Sequence, residues 1–522
     1  MYSQRESNYK SIYTNIHHMN QTSPDTFKSS LLNRKDFTIT YELVPGRGSG
    51  GKRLKKLLHF AEAAKNDGRI KAFSITDNPG GHPALAPNSL GQDIQSMGIS
   101  SLIHFSLKDK NRNMVESQLF ECHRNNLRNI LVLGGDFPRY GYHGHAMPVF
   151  DLDSPQLLNL ISDLKRGAST KKNAPGRNIA LPPMDFFTGC VVSPFKLLES
   201  EQVWQYTKLL TKIASGAQYV ISQLGFDMLK YKELKQFMQH THPNIPLLAN
   251  VFIPTLAVAR VMNRGLVPGV LFPDTLLKCM TEEAQRGDNG NEARLLRAAQ
   301  MIAALQKTGY DGVHIGGNNL DFTALSFLLN KTESFMETSR YDTNIHFPQS
   351  GTWYLKQEKD CPQTPVKRKT GLSFALNNTI HKQLFAPEGL FFSLAKKFSL
   401  ACDRNKYSRR CYTFIEHLGK TLLFRCRMCG DCTLAEANYL CPQSGCPKKM
   451  INGPCGGSIN GFCEVYPKER LCFWVRSFNH GTTPSCNKIQ ENKILPPKNW
   501  ALNRSSSWLN YFTGKDHCKL KN

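Results

Sequence analysis

Apolar and polar positions follow two alternating patterns along the first two thirds of the chain. Short runs rich in β-branched and aromatic residues are followed by longer stretches in which apolar residues recur at helical spacing and end at glycine, as in 52–68. This alternation predicts repeated strand–helix units and a parallel sheet. The eight predicted strands are 37–44, 71–76, 100–107, 128–135, 185–192, 217–223, 245–252 and 311–317.

Eight such units favour an α/β fold of the (β/α)8 TIM-barrel type, with functional side chains at the C-terminal ends of the strands. The loop Gly46-Arg47-Gly48-Ser49-Gly50-Gly51 offers a competing interpretation, because it fits the G-x-G-x-x-G pattern of a dinucleotide-binding turn and Asp77 ends the next strand. A Rossmann sheet reverses its winding after a few strands, whereas these units continue. The barrel is therefore the predicted fold, and the loop a flexible connection.

The pattern changes sharply after the eighth unit and divides the chain into five parts. A small cysteine-rich domain that binds a metal or a cluster is predicted to follow the barrel. The parts are a loose leader (1–35), the barrel (36–335), an irregular linker packing on the barrel (336–420), the cysteine-rich module (421–486) and a basic, mobile tail (487–522).

Length and composition set the class of protein. With 522 residues, of which 40% are hydrophobic, the chain can bury a large core and a smaller second one. No apolar run reaches the roughly 18 residues that cross a bilayer, and the polar N-terminus lacks a signal-peptide stretch, so no membrane association and a cytoplasmic location are expected.

The net charge of +25 is concentrated late in the chain, with 27 Lys and Arg against 11 Asp and Glu from Gly351 onward. This excess implies an acidic partner such as an electron-carrier protein or the polyglutamate tail of a folate, unless the charges only solvate the surface. Because no basic run is interleaved with aromatic residues, nucleic acid is not the favoured partner.

Half of the 16 cysteines lie between Cys426 and Cys472. The triplet Cys426-x2-Cys429-x2-Cys432 puts thiolates on one tight loop, and two Cys-Pro pairs resemble the end of a [4Fe-4S] ligand run. C-x-x-C pairs are equally typical of zinc, so the metal stays open between [4Fe-4S] and zinc. The predicted ligands are Cys426, Cys429, Cys432, Cys441, Cys446, Cys455, Cys463 and Cys472.

Read in order, the strand ends resemble those of the methylenetetrahydrofolate reductase family over about residues 37–320. The matching segments are Tyr41-Glu42-Leu43-Val44-Pro45, Thr76-Asp77-Asn78-Pro79-Gly80-Gly81, His104-Phe105-Ser106, Gly134-Gly135-Asp136-Phe137-Pro138, Gln223-Leu224-Gly225-Phe226-Asp227 and Val313-His314-Ile315-Gly316-Gly317. The cysteine-rich part resembles the C-terminal module that accompanies some bacterial members. The resemblance implies a flavoprotein that holds FAD and takes electrons from NAD(P)H or reduced ferredoxin. Its oxidoreductase reaction would convert 5,10-methylenetetrahydrofolate to 5-methyltetrahydrofolate, the tetrahydrofolate interconversion that feeds one-carbon metabolism and methionine biosynthesis.

The resemblance also implies site residues. The folate ring must accept a proton on N10 before hydride can arrive, and the family's acid corresponds to Glu42. Its apolar neighbours Tyr41, Leu43 and Val44 are expected to raise its pKa by desolvation.

The other implied contacts are to cofactor and substrate. Asp136 would hold the pterin ring beside the flavin, so it is predicted to be both a catalytic and a cofactor-binding residue. The chain departs from the family at Gly134, where members often carry Arg. Thr76, His104 and Lys196 match cofactor-binding positions, with Lys196 at the FAD diphosphate. Gln223 matches a position that binds the folate substrate.

Two other functions remain open at this stage. A pterin-binding barrel could transfer the methyl group of methyltetrahydrofolate without a flavin, and a zinc-binding protein could use its basic part on nucleic acid without any enzymatic activity. The sequence does not fix the electron donor, the metal, whether the barrel is fully active, or the oligomeric state, a homo-oligomer included.

Overall fold

Eight parallel strands form a closed barrel in the computed structural model, which describes residues 25–167, 169–171, 178–317, 320–338, 345–355, 357–358, 361–362, 370–482 and 494–520. Each strand pairs with its neighbours in chain order, and the eighth closes against the first. The predicted TIM-type fold is thus confirmed. The strands are β1 (Thr38–Leu43), β2 (Ile70–Ile75), β3 (Ser100–Ser106), β4 (Asn129–Leu133), β5 (Phe187–Val192), β6 (Tyr219–Ser222), β7 (Leu247–Phe252) and β8 (Gly312–Gly316).

Helices connect the strands around the outside of the barrel. Those of the barrel part are α1 (Thr26–Leu32), α2 (Lys52–Asp67), α3 (Pro87–Ser96), α4 (Arg112–Arg124), α5 (Ser154–Lys165), α6 (Glu199–Ala214), α7 (Met228–Thr241), α8 (Leu256–Asn263), α9 (Asp274–Glu283), α10 (Asn291–Lys307) and α11 (Phe322–Thr338). Short hairpins pair Tyr140–Gly141 with Gly144–His145, Ser169–Lys171 with Asn178–Ala180 and Gln357–Glu358 with Cys361–Pro362. None of the described helices is long and apolar enough to cross a membrane.

Helix α1 closes the bottom of the barrel, where a loose leader was predicted. Phe27 is fully buried between the rings of Phe187 and Tyr219, with centroid distances of 5.8 Å and 5.3 Å. Asp25 caps this helix and accepts a hydrogen bond from Ser100. The expectation fails here because a helix of two turns carries too few apolar positions to show periodicity. Residues 1–24 lie outside the described part.

The predicted irregular linker contains three helices, α12 (Leu372–Leu384), α13 (Phe392–Asp403) and α14 (Lys406–Phe424). Two contacts join its first part to the barrel: the Trp353 amide donates to the Leu197 carbonyl at 2.9 Å, and the Tyr354 hydroxyl donates to Asp227 at 2.6 Å. The helices leave large apolar side chains on the surface, among them Leu372, Leu394 and Leu422.

The cysteine-rich module is built mainly of turns, with the short helices α15 (Pro442–Gly445) and α16 (Phe473–His480). Residues 494–520 fold back onto it and contain α17 (Ser507–Phe512), so this part of the predicted mobile tail is ordered. Buried Glu416 of α14 accepts hydrogen bonds from Ser507, and the Lys498 ammonium donates to the Asp431 carbonyl. These polar contacts join residues that are far apart in the chain, so no local sequence pattern predicts them.

Candidate functional site

Five of the six predicted barrel residues surround one cavity of about 320 Å³ at the C-terminal ends of the strands. The strand ends deliver them because successive strand C-termini meet at the same mouth of a parallel barrel. The cavity lies within the size range usual for small-molecule sites. The five residues that line it are Glu42, Thr76, His104, Asp136 and Gln223.

Glu42 lies beside two histidines. Its Oε2 is 3.8 Å from Nε2 of His314, whose ring lies 6.2 Å from the ring of His104, centroid to centroid. His314 is held by Thr40 at Nδ1, 2.9 Å away, and by Ser74 at Nε2, 3.3 Å away. The sequence analysis included His314 only within a matching strand end and gave it no role, because one histidine inside an apolar strand does not reveal which side chains it contacts.

The electrostatics of Glu42 differ from the expectation. Burial favours the neutral acid and would raise its pKa, but the contact and the electrostatic interaction with His314, together with a smaller interaction with His104, outweigh burial, so the pKa lies below its ordinary value. Burial lowers the pKa of His104 to about 4, so that ring is neutral near neutral pH. The apolar sequence neighbours of Glu42 therefore did not decide its pKa; the histidine of the last strand did.

Asp136 follows β4 in a loop that approaches its neighbours closely. Its Oδ2 accepts a hydrogen bond from the Gly80 amide at 2.8 Å. Gly135 has φ +82°, and a Cβ there would lie 2.1 Å from Oγ of Ser106, so only glycine fits. This loop thus brings backbone and carboxylate together at the cavity wall.

Thr76 and Gln223 have local partners as well as a face on the cavity. The Thr76 hydroxyl lies 3.5 Å from the Leu43 carbonyl, and Oε1 of Gln223 accepts from the Leu224 amide at 3.0 Å. The backbone N–H of Gln223 donates to the Val192 carbonyl at 2.7 Å, which joins the end of β6 to the end of β5. Both side chains are therefore fixed in position.

Several buried polar atoms at the cavity lack a partner among the described residues. Buried polar groups are nearly always hydrogen-bonded, so such a concentration indicates a ligand that satisfies them. The atoms are His104 Nε2, Ser106 Oγ, Ser193 Oγ and Asn250 Oδ1.

The cysteine-rich module covers the cavity and forms part of its wall. Lys448 and Glu464 form a buried ion pair there, and Nζ of Lys448 also donates to the Gly135 carbonyl at 2.7 Å. Cys455 and Gly456 line the same cavity. None of these contacts was predicted, since nothing in the sequence says which barrel face the module covers.

Lys196 is the one predicted barrel residue that does not line this cavity. It is 1% exposed, and its ammonium donates to the carbonyls of Gly456 and Ser458, each at 2.6 Å. Lys208 makes the same kind of bond to the Gly453 carbonyl at 2.9 Å. These contacts fix the module to the barrel, so the geometry gives no support to a role of Lys196 at a diphosphate.

The predicted cysteine ligands separate into two sets. Cys426, Cys429, Cys432 and Cys441 line one small cavity together. In the other set, Cys455 and Cys463 lie near enough to Cys446 to interact with it electrostatically. Burial raises the pKa of Cys446 to about 12, and these neighbouring thiols add to the increase. Cys472 belongs with them, because its thiol interacts with those of Cys455 and Cys446. Each set has four sulfurs, which is a complete ligand set for a zinc ion or a [4Fe-4S] cluster.

Comparison with known proteins agrees with this architecture. Residues 28–330 match the family model described as methylenetetrahydrofolate reductase, and residues 406–501 match the one described as methylene-tetrahydrofolate reductase C terminal. Methylenetetrahydrofolate reductase 1 of Schizosaccharomyces pombe is 21% identical over 293 residues, which cover 55% of this chain and 45% of that protein. The chain thus spans less than half the length of this curated relative.

Two solved structures show distant likenesses to this chain. An uncharacterized protein from Clostridium thermocellum, which binds two copies of 5-methyl-5,6,7,8-tetrahydrofolic acid, is 12% identical with a TM-score of 0.42, covering 60% of this chain and 99% of that one. The EDTA monooxygenase of Chelativorans sp. BNC1 is 13% identical with a TM-score of 0.36, covering 61% of this chain and 96% of that one. The family model alone spans more than half of the 522 residues, and on that match the chain belongs to the methylenetetrahydrofolate reductase family.

Proposed function

We propose that this chain is a flavin-dependent reductase that converts 5,10-methylenetetrahydrofolate to 5-methyltetrahydrofolate, with Glu42 as the general acid. The observation that carries the proposal is the shared cavity, in which Glu42, Asp136 and Gln223 come from three different strand ends to one wall. Membership of the family supports the substrate class. The wall also holds unpartnered polar atoms that a bound ring system would satisfy.

FAD would bind on the side of the cavity formed by Thr76, His104 and the loop at Asp136. A bound flavin would supply the hydride for the methylene carbon. The neutral ring of His104 has a buried Nε2 without a partner among the described residues, and it can donate to or accept from the cofactor. Gly135 lets this loop pack directly against Ser106, which holds the backbone before Asp136 at the cavity wall.

Glu42 would hold the proton that N10 of the folate needs. The surroundings keep its pKa low while water reaches the carboxyl, whose side chain is 22% exposed. A bound pterin would exclude that water and strengthen the effect of burial, which moves the pKa of a carboxyl upward toward the range of a general acid. His314, fixed by Thr40, orients the carboxyl for this transfer.

Asp136 and Gln223 would hold the folate in place. One oxygen of Asp136 already accepts from the Gly80 amide, and a carboxylate retains capacity for further donors such as the guanidine-like edge of a pterin. Gln223 lines the same cavity directly after β6, and its side-chain amide can bond to the ring as well. Together they would position the methylene carbon for hydride.

The two cysteine sets fit [4Fe-4S] clusters better than zinc. With Zn–S bonds of about 2.3 Å, the sulfurs of a tetrahedral site lie about 3.8 Å apart. Among the described residues, no three of these sulfurs fall within 4.8 Å of one another. Wider spacing suits a cluster, because each thiolate binds a different iron atom.

Clusters at these positions would supply single electrons. Cys455 lines the barrel cavity, so the second set lies next to the proposed flavin site. The excess of basic residues from Gly351 onward fits an acidic carrier such as reduced ferredoxin as electron donor, with NAD(P)H as the alternative.

The test begins with the absorption spectrum and the iron and zinc content of protein purified without oxygen. We expect a flavin spectrum, iron in the amount of two clusters, and reduction of 5,10-methylenetetrahydrofolate. A colourless protein that binds methyltetrahydrofolate would instead be a methyltransferase barrel. Zinc without iron would remove the cluster proposal and leave the reductase proposal intact.

The role of Glu42 is tested separately with Glu42→Gln. Flavin reduction by an artificial donor should stay nearly unchanged, while oxidation of the reduced flavin by the folate slows by about a hundredfold or more, the usual effect of losing a general acid. Glu62→Gln, at an exposed position of α2, is the matched control. Equal loss in both half-reactions would contradict the assigned role.

A further inference from the structure

The C-terminal segment carries a histidine whose ring is fixed in one orientation. His517 is 9% exposed, and its Nδ1 lies 2.6 Å from Oδ1 of Asp431, which is 2% exposed. The His517 amide donates to the same oxygen at 3.3 Å. A carboxylate that accepts from Nδ1 leaves the lone pair of Nε2 free on the opposite side of the ring, as it is in many metal-binding histidines.

Two further atoms that can bind a metal lie close to Nε2 of His517. Oε1 of Glu436 lies 3.3 Å from it and Sγ of Cys518 lies 3.5 Å from it. All three ligand atoms lie within 4.8 Å of one another. None of the three residues belongs to the two cysteine sets, and none was predicted as a ligand.

We propose that Glu436, His517 and Cys518 bind a single divalent cation of the zinc type, with Asp431 orienting the histidine. Bonds of about 2.0–2.1 Å to nitrogen, about 2.0–2.2 Å to oxygen and about 2.3 Å to sulfur give a tetrahedron with N–O edges of about 3.4 Å and N–S edges of about 3.6 Å. The observed 3.3 Å and 3.5 Å match both edges. Mixed nitrogen, oxygen and sulfur donors are also the ligands that zinc accepts.

A cavity adjoins two of the three proposed ligands and would give the fourth position of the cation access to solvent. Glu436, Asp516 and Cys518 line a space of about 210 Å³ whose other walls include Trp508 and Tyr511. Three protein ligands with one position left for solvent are typical of exchangeable rather than purely structural zinc sites. Asp516, held by the Cys518 amide at 3.1 Å, can accept a hydrogen bond from a water on the cation. A small thiol entering the cavity could replace that water.

The site would also fasten the C-terminal segment to the module. His517 and Cys518 follow α17, whereas Glu436 and Asp431 belong to the loop of the first cysteine set. Such a cation would therefore stabilise the fold around that set without being one of its ligands. The inference is independent of the proposed reductase function.

The experiment compares metal content in the full chain, purified without oxygen, for the wild type, Cys518→Ser, His517→Gln and the control Cys411→Ser. Cys411 is a free, exposed cysteine of α14 outside every set. We expect the first two variants to lose one equivalent of zinc with unchanged iron and flavin, whereas Cys411→Ser keeps it. Equal zinc in all four proteins would overturn the proposal and leave His517 as a cation paired with Asp431 and Glu436.

A second measurement covers variants that fail to fold. In the wild type reconstituted with Co²⁺, the thiolate of one cysteine should give a charge-transfer band, which Cys518→Ser removes and Cys411→Ser retains. Alkylation of Cys518 should be slow until a chelator is added. A small added thiol should shift the cobalt bands, and an unchanged spectrum would contradict the open fourth position. Rapid alkylation that no chelator alters would contradict the site itself.

Discussion

Nζ of Lys448 donates to the carbonyl oxygen of Gly135 at 2.7 Å, which places a cation of the cysteine-rich module at the mouth of the barrel. The same ammonium pairs with Glu464, whose side chain is 5% exposed. Burial alone would lower the pKa of Lys448, but the Glu464 carboxylate raises it well above its ordinary value. The cysteine-rich module thus contributes two charged side chains, Lys448 and Glu464, to a cavity lined mainly by residues of the barrel.

Lys448→Met should destabilise the protein by about 3–5 kcal/mol, because it leaves a buried carboxylate without a partner. The double variant Lys448→Met/Glu464→Gln should recover a large part of that loss. Urea denaturation of the three proteins measures both effects. If the single and double variants were equally unstable, the unpaired charge of Glu464 would not be the cause.

Gly135→Ala should destabilise the protein by about 1–3 kcal/mol and weaken ligand binding at the cavity, since alanine is strained at φ +82° and its Cβ would clash with Ser106. Gly134→Ala is the matched control. Nothing lies within 4 Å of a Cβ at that position, and its φ is ordinary. Thermal unfolding and the flavin content of the purified proteins measure both effects. Similar losses of stability and of flavin in the two variants would show that the close contact between Gly135 and Ser106 is not the cause.

Because its pKa is depressed in the folded protein, His104 makes the protein less stable as the pH falls. The unfolded chain binds a proton at the ordinary value of 6.5, whereas the folded chain does so only at about 4, so the unfolded state holds more protons between these values. From about pH 7 to about pH 5 this should cost about 2 kcal/mol of unfolding free energy. In His104→Asn the pH dependence should be weaker by that amount. An identical pH dependence in wild type and variant would show that the buried ring is not the source.

Cys455→Ser and Cys429→Ser each remove one thiol of a different set. Both should lower the iron content, but only Cys455 lines the barrel cavity, so only its loss should change the flavin spectrum and the rate of flavin reduction by a protein carrier. Metal analysis and stopped-flow reduction separate the two effects. A flavin signal that responds equally to both substitutions would argue against electron entry beside Cys455.

The barrel and much of its site could be predicted from the sequence. Each strand can be recognised from a short local run of apolar residues, and the C-terminal ends of parallel strands meet at one mouth of the barrel. The sequence could therefore place five strand-end side chains together, namely Glu42, Thr76, His104, Asp136 and Gln223. Lys196 shows the limit of this reasoning. It follows a strand end like the others, yet its ammonium is held by carbonyls of the module.

What could not be predicted depends on contacts between distant segments. The pKa of Glu42 shifts downward because His314 lies beside it, and nothing near Glu42 in the sequence indicates that neighbour. Lys448 reaches the cavity only through the docking of the module. His517 acquires its partners because residues 494–520 fold back, although their composition resembles that of a mobile tail.

The bonds from Lys196 and Lys208 to carbonyls of the module have a consequence for how the protein is assembled. Until the module docks, nothing from it covers these two ammonium groups, and docking moves them to buried positions where its carbonyls must replace their hydration. A module that docked one residue out of register would leave two buried charges without acceptors, at a cost of several kcal/mol. The two lysines therefore select a single position of the module on the barrel.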